Sequence, residues 1–418
     1  MSSSMSRVSA MVRAVVAFSA RPRAWARGPV TANTAADPAR RVKSLTRVAP
    51  RSSAAATTAR VSRCWSCSAT MPPRRRSAIA RSTATWPGAR AVGVKFWCPL
   101  MGLHIVRKGG QVKARGVWMM SAVFLDYDQA ALDREYDNMK KVAEVATITA
   151  AWDDRGAEAR RHLSCDLDLP YGDQARQTLD IFPTAKQGAP VLAFIHGGYW
   201  HRRDKSVGHF LAPAYVASEI HFVSIGYRLC PAVTLAEIVA DIGQALAWLA
   251  VKAPEFGGDP SRLYLAGHSA GGHLTALMCG PAGRPDLLAG GCSISGLHDL
   301  RPIRLSFLNE VLNLDPAAVA AHSPLARLQA APESLPDLPP LVLAVGDQEG
   351  PEYLRQRDDL AAALRARRRP ALAVDVTGGN HFTALTAFAD PTHPLAEAML
   401  RLIFAPPPRV TAGAPVSS

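Results

Sequence analysis

Past its first third, the chain alternates short, mostly apolar runs with longer stretches in which apolar residues recur every three or four positions. The runs fall at 191–195, 221–227, 263–266, 291–295, 341–345 and 372–376, and the longer stretches at 235–251, 272–278, 352–367 and 395–403. Mostly apolar runs of this length predict strands covered on both faces, and the three-four spacing predicts helices. Strands alternating with helices predict an α/β domain whose mostly parallel central sheet carries helices on both faces. Two earlier segments, 162–169 and 178–182, alternate apolar with polar positions and predict an antiparallel hairpin at the sheet edge.

The first 118 residues show no such period. They are rich in Arg, Ser, Ala, Thr and Pro, as in Pro72-Pro73-Arg74-Arg75-Arg76, and such a segment buries too little apolar surface to offset the entropy of ordering it. A disordered basic extension is therefore expected over 1–118, a folded domain over 119–405 and a flexible tail over 406–418. Three origins fit the extension: a targeting peptide, a solvated arm that touches nucleic acid, or a start codon assigned too early, with Met119-Met120 standing just before the first balanced sequence.

Charge separates the same two parts. Residues 1–120 hold 22 Lys and Arg against one acid, Asp37, whereas the remainder holds 26 against 33 acids, so the basic character belongs to the extension alone. The domain has no cationic run suited to gripping phosphates, and nucleic acid is not an expected partner. The seven cysteines form no disulfide framework, which predicts a reduced, cytoplasmic setting. Cys64 and Cys67 have the spacing of half a zinc site, but no second pair completes it, and no metal is expected. No apolar run approaches ~18 residues, so no membrane span is predicted.

Chemistry enters with Gly267-His268-Ser269-Ala270-Gly271, placed between an apolar strand and a helix. A G-x-S-x-G pentapeptide in that context predicts a sharp turn that presents Ser269 as a nucleophile at the top of a parallel sheet, with the helix N-terminus facing the same site. About seventy residues earlier, His196-Gly197-Gly198-Tyr199-Trp200 follows another strand. A glycine-rich loop there can bring backbone N–H groups to a developing oxyanion, and Gly198, Tyr199 and Ala270 are the expected donors. His196 is expected to order the loop.

A serine hydroxyl needs a base, and the base needs an acid behind it. His381, in the loop after the last predicted strand, is the expected base, since His298 and His322 come too early and His393 opens the final helix. The loop after strand 341–345 offers two acids, Asp347 and Glu349, and on the residues alone either could serve. Tyr199 and Trp200 are candidate substrate contacts, although a packed core explains a Trp equally well. Arg202, Arg203 and Lys205 could meet a substrate carboxylate or form a solvated face.

These segments, with Tyr227-Arg228-Leu229-Cys230-Pro231, Ser295-Gly296-Leu297-His298-Asp299-Leu300, Pro351-Glu352-Tyr353-Leu354-Arg355-Gln356 and Asn380-His381-Phe382, resemble the kynurenine formamidase (arylformamidase) group of hormone-sensitive-lipase-like esterases. The resemblance runs from about Asp126 to Phe404 and implies the α/β-hydrolase fold, with Ser269, an acid and His381 in that order. In that group the acid stands two residues before the Pro-Glu pair, which implies Glu349. The implied reaction is hydrolysis of N-formyl-L-kynurenine, with no cofactor. A short-acyl carboxylesterase and a non-catalytic ligand-binding protein of the same fold are the alternatives. A small-molecule substrate is the expected partner, and a homodimer is compatible with the sequence.

Overall fold

Residues 122–404, apart from 333, 335 and 336, are described by a computed structural model, together with three strands at Lys95–Cys98, Leu103–Lys108 and Gln111–Gly116. The other residues of the expected extension, including Cys64 and Cys67, and the 406–418 tail lie outside the described residues. The three early strands pair antiparallel into a small sheet of their own. They fall in a stretch read above as lacking any period. The signal passed over is Gly109-Gly110, a two-residue hairpin signature between the strands that pair Lys108 with Gln111.

The main sheet has eight strands: β1 (Asp166–Pro170), β2 (Thr178–Phe182), β3 (Ala189–Ile195), β4 (His221–Ile225), β5 (Gly258–His268), β6 (Gly290–Ile294), β7 (Leu341–Gly346) and β8 (Ala371–Val376). Their spatial order is β1-β2-β4-β3-β5-β6-β7-β8. β1 and β2 pair antiparallel, as do β2 and β4, and every later pairing is parallel. The expected mostly parallel sheet with an antiparallel edge is thus observed. Strands β3, β4, β6 and β7 are buried at every position, whereas β1 is largely exposed and β8 mostly half-buried. That contrast is what an open sheet with helices on both faces requires.

The alternation of side chains along each strand builds two cores. Val191, Ala193, Ile195, Val223, Leu265, Leu343 and Val345 face one. Leu192, Phe194, Phe222, Ala266, Ile294, Val342 and Ala344 face the other. Six helices position the site: α1 (Gln129–Tyr136), α2 (Val145–His162), α3 (Leu235–Lys252), α4 (Ala270–Met278), α5 (Pro351–Ala366) and α6 (Pro394–Phe404). The first core is covered by α3 through Ile238, Ile242, Leu246 and Leu249 and by α5 through Tyr353, Leu360 and Leu364. The second is covered by α2 through Trp152 and α6 through Leu395, Met399 and Ile403. Each fully buried Leu, Ile or Phe contributes about 1.5–3 kcal/mol. Thr234 opens α3 with a capping box, its side chain accepting from Glu237 N–H while the Glu237 carboxylate accepts from Thr234 N–H.

The predicted strand at 162–169 begins too early, because α2 runs through His162 and β1 starts only at Asp166. α2 itself was not predicted. Its sequence, Ala-, Arg- and acid-rich with few large apolar residues, favours a helix by propensity without writing a three-four stripe.

Candidate active site

β5 ends at His268 and the chain turns through Ser269 straight into α4. Ser269 holds φ 57° and ψ −116°, a left-handed conformation costing of order 1–3 kcal/mol that persists only where the surroundings impose it. They do so through backbone contact. A Cβ on Gly271 would lie 2.0 Å from the carbonyl oxygen of Ile195, so β3 and the first turn of α4 touch with nothing between them. The Ser269 N–H donates to the Ile294 carbonyl at 2.8 Å and its carbonyl accepts from His273 N–H at 2.9 Å, which fixes both sides of the turn.

The loop after β7 carries the two acids, and they have different surroundings. Glu349 is buried: one carboxylate oxygen accepts from His381 Nδ1 at 2.6 Å, the other from Ser295 Oγ at 2.5 Å and from Gly346 N–H at 2.7 Å. Asp347 is exposed and accepts from Gly378 N–H at 2.9 Å on the surface. Of the two, Glu349 is the one that meets the imidazole. A carboxylate at Nδ1 fixes the proton there and leaves Nε2 as the basic nitrogen.

His381 and Ser269 line one cavity of about 560 Å³, its open mouth included. Gly198 and Tyr199 line it as well. Gly198 has φ 113°, and a Cβ there would sit 2.3 Å from the Arg202 carbonyl, so the loop that follows β3 accepts only glycine at this point. Among the described residues, the backbone N–H groups of Gly198, Tyr199 and Ala270 donate to no protein acceptor. A hydroxyl, an imidazole backed by a buried carboxylate and three free N–H donors are the parts that acyl transfer requires.

The remaining sequence candidates separate. Tyr199 lines the cavity, with its hydroxyl tied to the Tyr136 carbonyl at 2.7 Å and to Asn138 and Tyr353 at 2.9 Å. Trp200 does not line it, which corrects the expectation of a substrate contact: its ring is fully buried, with the indole N–H 3.3 Å from His273 Nδ1. The cationic run also divides. Arg202 and Arg203 line the cavity, whereas Lys205 is buried and pairs with Asp180 at 3.1 Å and Asp168 at 2.5 Å.

The BD-FAE family model matches residues 179–292. A kynurenine formamidase of Danio rerio is 26% identical over 258 residues, 59% of this chain and 85% of that protein. An isoprenylcysteine alpha-carbonyl methylesterase of Arabidopsis thaliana is 37% identical over 110 residues, 26% of each chain. The crystal structure of a candidate thioesterase from Silicibacter sp. TM1040 is 31% identical, with TM-score 0.57, covering 66% of this chain and 99% of that one. The chain belongs to the hormone-sensitive-lipase-like α/β-hydrolases. Among its described residues, no helix is long and apolar enough to cross a membrane.

Several further groups support the hydrolase site in ways not anticipated from the sequence. Trp152 of α2 lines the cavity, stacked on Phe210 with ring centroids 5.5 Å apart. Lys141 donates to the Glu349 carbonyl at 2.6 Å and so ties the segment before the sheet to the acid loop. His268 Nε2 meets the His381 carbonyl at 2.8 Å and holds the backbone of the imidazole loop. Ser295 could have been found, since it opens one of the segments quoted above, but its contact with Glu349 depends on the register of β6 beside β7.

Burial keeps four histidines of the hydrolase neutral. It pushes His196 and His298 down to about 4, His273 to about 3, and His268 well below the usual imidazole range. In the unfolded chain these rings take protons near pH 6.5, so between that value and about pH 4 the unfolded state binds more protons than the folded one. Their contribution to stability is full above pH 6.5 and is lost as pH falls through the folded values. At pH 5 His196 and His298 alone should each have cost roughly 2 kcal/mol relative to neutral pH. Urea midpoints at pH 7 and pH 5 test this; equal midpoints would contradict it.

Proposed function

We propose that the chain is an arylformamidase that hydrolyses N-formyl-L-kynurenine to L-kynurenine and formate, with its catalytic domain over 119–405. Ser269 Oγ attacks the formyl carbon while His381 Nε2 takes its proton, and Glu349 steadies the imidazolium through Nδ1. The oxyanion is received by the N–H groups of Gly198, Tyr199 and Ala270. His381 then returns the proton to the departing arylamine, and a water molecule, deprotonated by the same imidazole, releases formate from the formyl-serine. An arylamine leaves more readily than an alkylamine, so no further acid is needed.

The observation that carries the chemistry is the 2.6 Å contact of His381 with buried Glu349, in the cavity that Ser269 also lines. The substrate is supported by the likeness to a kynurenine formamidase over 85% of that protein's length. The test is steady-state hydrolysis of N-formyl-L-kynurenine beside 4-nitrophenyl acetate. A kcat/KM at least about 100-fold higher for the formamide is the expected result. Preference for the nitrophenyl ester would replace the formamidase with a short-acyl carboxylesterase, and absence of turnover on both would point to a ligand-binding protein.

A further inference from the structure

We propose that Arg203, with Arg202 beside it, forms an anion subsite in the Ser269 cavity and receives a carboxylate carried on the leaving group of the substrate. The inference rests on the formamidase reading and adds a charge requirement to it. A formyl group has no room for a second functional group, so any carboxylate must be borne by the amine.

The cavity lining is charged with one sign. Its lining residues include Arg202, which is exposed with Nε donating to His201 at 3.1 Å, and Arg203, and no acid, since Glu349 stands behind His381 and is engaged there. Arg203 is half-buried, and among the described residues its guanidinium has neither an ion pair nor a hydrogen bond. Arg304 is comparably covered and also without a side-chain partner among the described residues, but it does not line this cavity, and three other half-buried arginines each meet an acid. Arg176 lies 3.7 Å from Asp204, Arg228 2.7 Å from Asp241 and Arg355 2.8 Å from Glu352. A partly desolvated cation without an anion is costly, and a ligand carboxylate would supply the missing partner with the fork geometry that guanidinium favours.

Arg203 is also held in place at some expense. Its φ is 75°, a region that residues with a Cβ rarely adopt, and three others in the same loop, Gly198, Tyr199 and Trp200, share positive φ. The Arg203 carbonyl accepts from Arg176 Nη2 at 2.8 Å, which pins the turn. Its stem packs against the oxyanion loop, where a Cβ on Gly198 would come within 3.0 Å of Arg203 Cγ. The cation is thereby coupled to the loop that supplies the N–H donors. An observed strain of this kind, next to a reacting serine, points to function.

The experiment compares phenyl acetate with 3-acetoxybenzoate, which differ by one carboxylate on the leaving group, for the full chain and for Arg203→Gln, Arg203→Lys and Arg202→Gln. The readout is the ratio of kcat/KM for the anionic ester to that for the neutral one, in which differences in intrinsic reactivity cancel between variants. Arg203→Gln is expected to lower that ratio about tenfold or more, as for loss of a charge-assisted hydrogen bond. Arg203→Lys should retain part of it, and added NaCl should depress the anionic ester selectively in the parent protein. Turnover of both esters with the ratio unchanged in Arg203→Gln would overturn the subsite alone. No turnover of either ester or of N-formyl-L-kynurenine would overturn the hydrolytic reading and the subsite with it, whereas turnover of the formamide alone moves the same comparison of Arg203 variants to formanilide and 3-formamidobenzoate, where an unchanged ratio overturns the subsite.

Discussion

Replacing Ser269 with Ala should lower kcat by about 10⁵- to 10⁶-fold on every substrate the protein accepts, the scale seen when a hydrolase loses its nucleophile. The thermal midpoint should move little. Ser269 is held by its backbone bonds to Ile294 and His273, both of which alanine keeps. Alanine carries a Cβ as serine does, so the strain of the left-handed turn is unchanged as well. The measurements are steady-state rates and a melting curve on the same preparation. Near-full activity in the variant would remove Ser269 from the reaction, and a collapsed melting curve would mean that the hydroxyl has a structural role the geometry does not show.

The second large effect separates the acids. Glu349→Gln is expected to cost about 10⁴-fold in kcat, because an amide can present its NH₂ to His381 Nδ1 and select the wrong tautomer. The same change weakens the bonds from Ser295 Oγ and Gly346 N–H that now converge on a full carboxylate. Asp347→Asn should stay within about threefold of the parent, since Asp347 meets only the Gly378 N–H at the surface. Equal losses in the two variants would mean that the loop as a whole, and not one carboxylate, supports the histidine.

Much of this arrangement was legible because the chemistry is local in sequence. Gly267 to Gly271 wrote both a turn and a candidate nucleophile, and His196 to Gly198 wrote a loop that only glycine can form beside β5. The acid was not settled by its residues, because two carboxylates in one short loop differ by which way the backbone turns. Resemblance favoured Glu349, and burial against Ser295 gives the physical reason. Trp200 was misplaced because an aromatic next to a site looks the same in sequence whether it faces the ligand or the core. Trp152 and Lys141 had no signal at all, since each reaches the site only after α2 and the segment before it fold across the ends of the strands. Arg203 was visible as a charge, but not as a charge without a partner.

His381, the proposed base, stands just past β8, and β8 is the outermost strand on its side of the sheet, with only Val376 buried along its length. Ser269 and the loop of Gly198 and Tyr199, in contrast, follow β5 and β3, of which β3 is buried throughout and β5 from Leu263 to His268. Local fraying begins where apolar cover is thinnest. The margin of the sheet, rather than its centre, is therefore where opening on heating is expected to begin, and activity lost below the melting midpoint would be its sign.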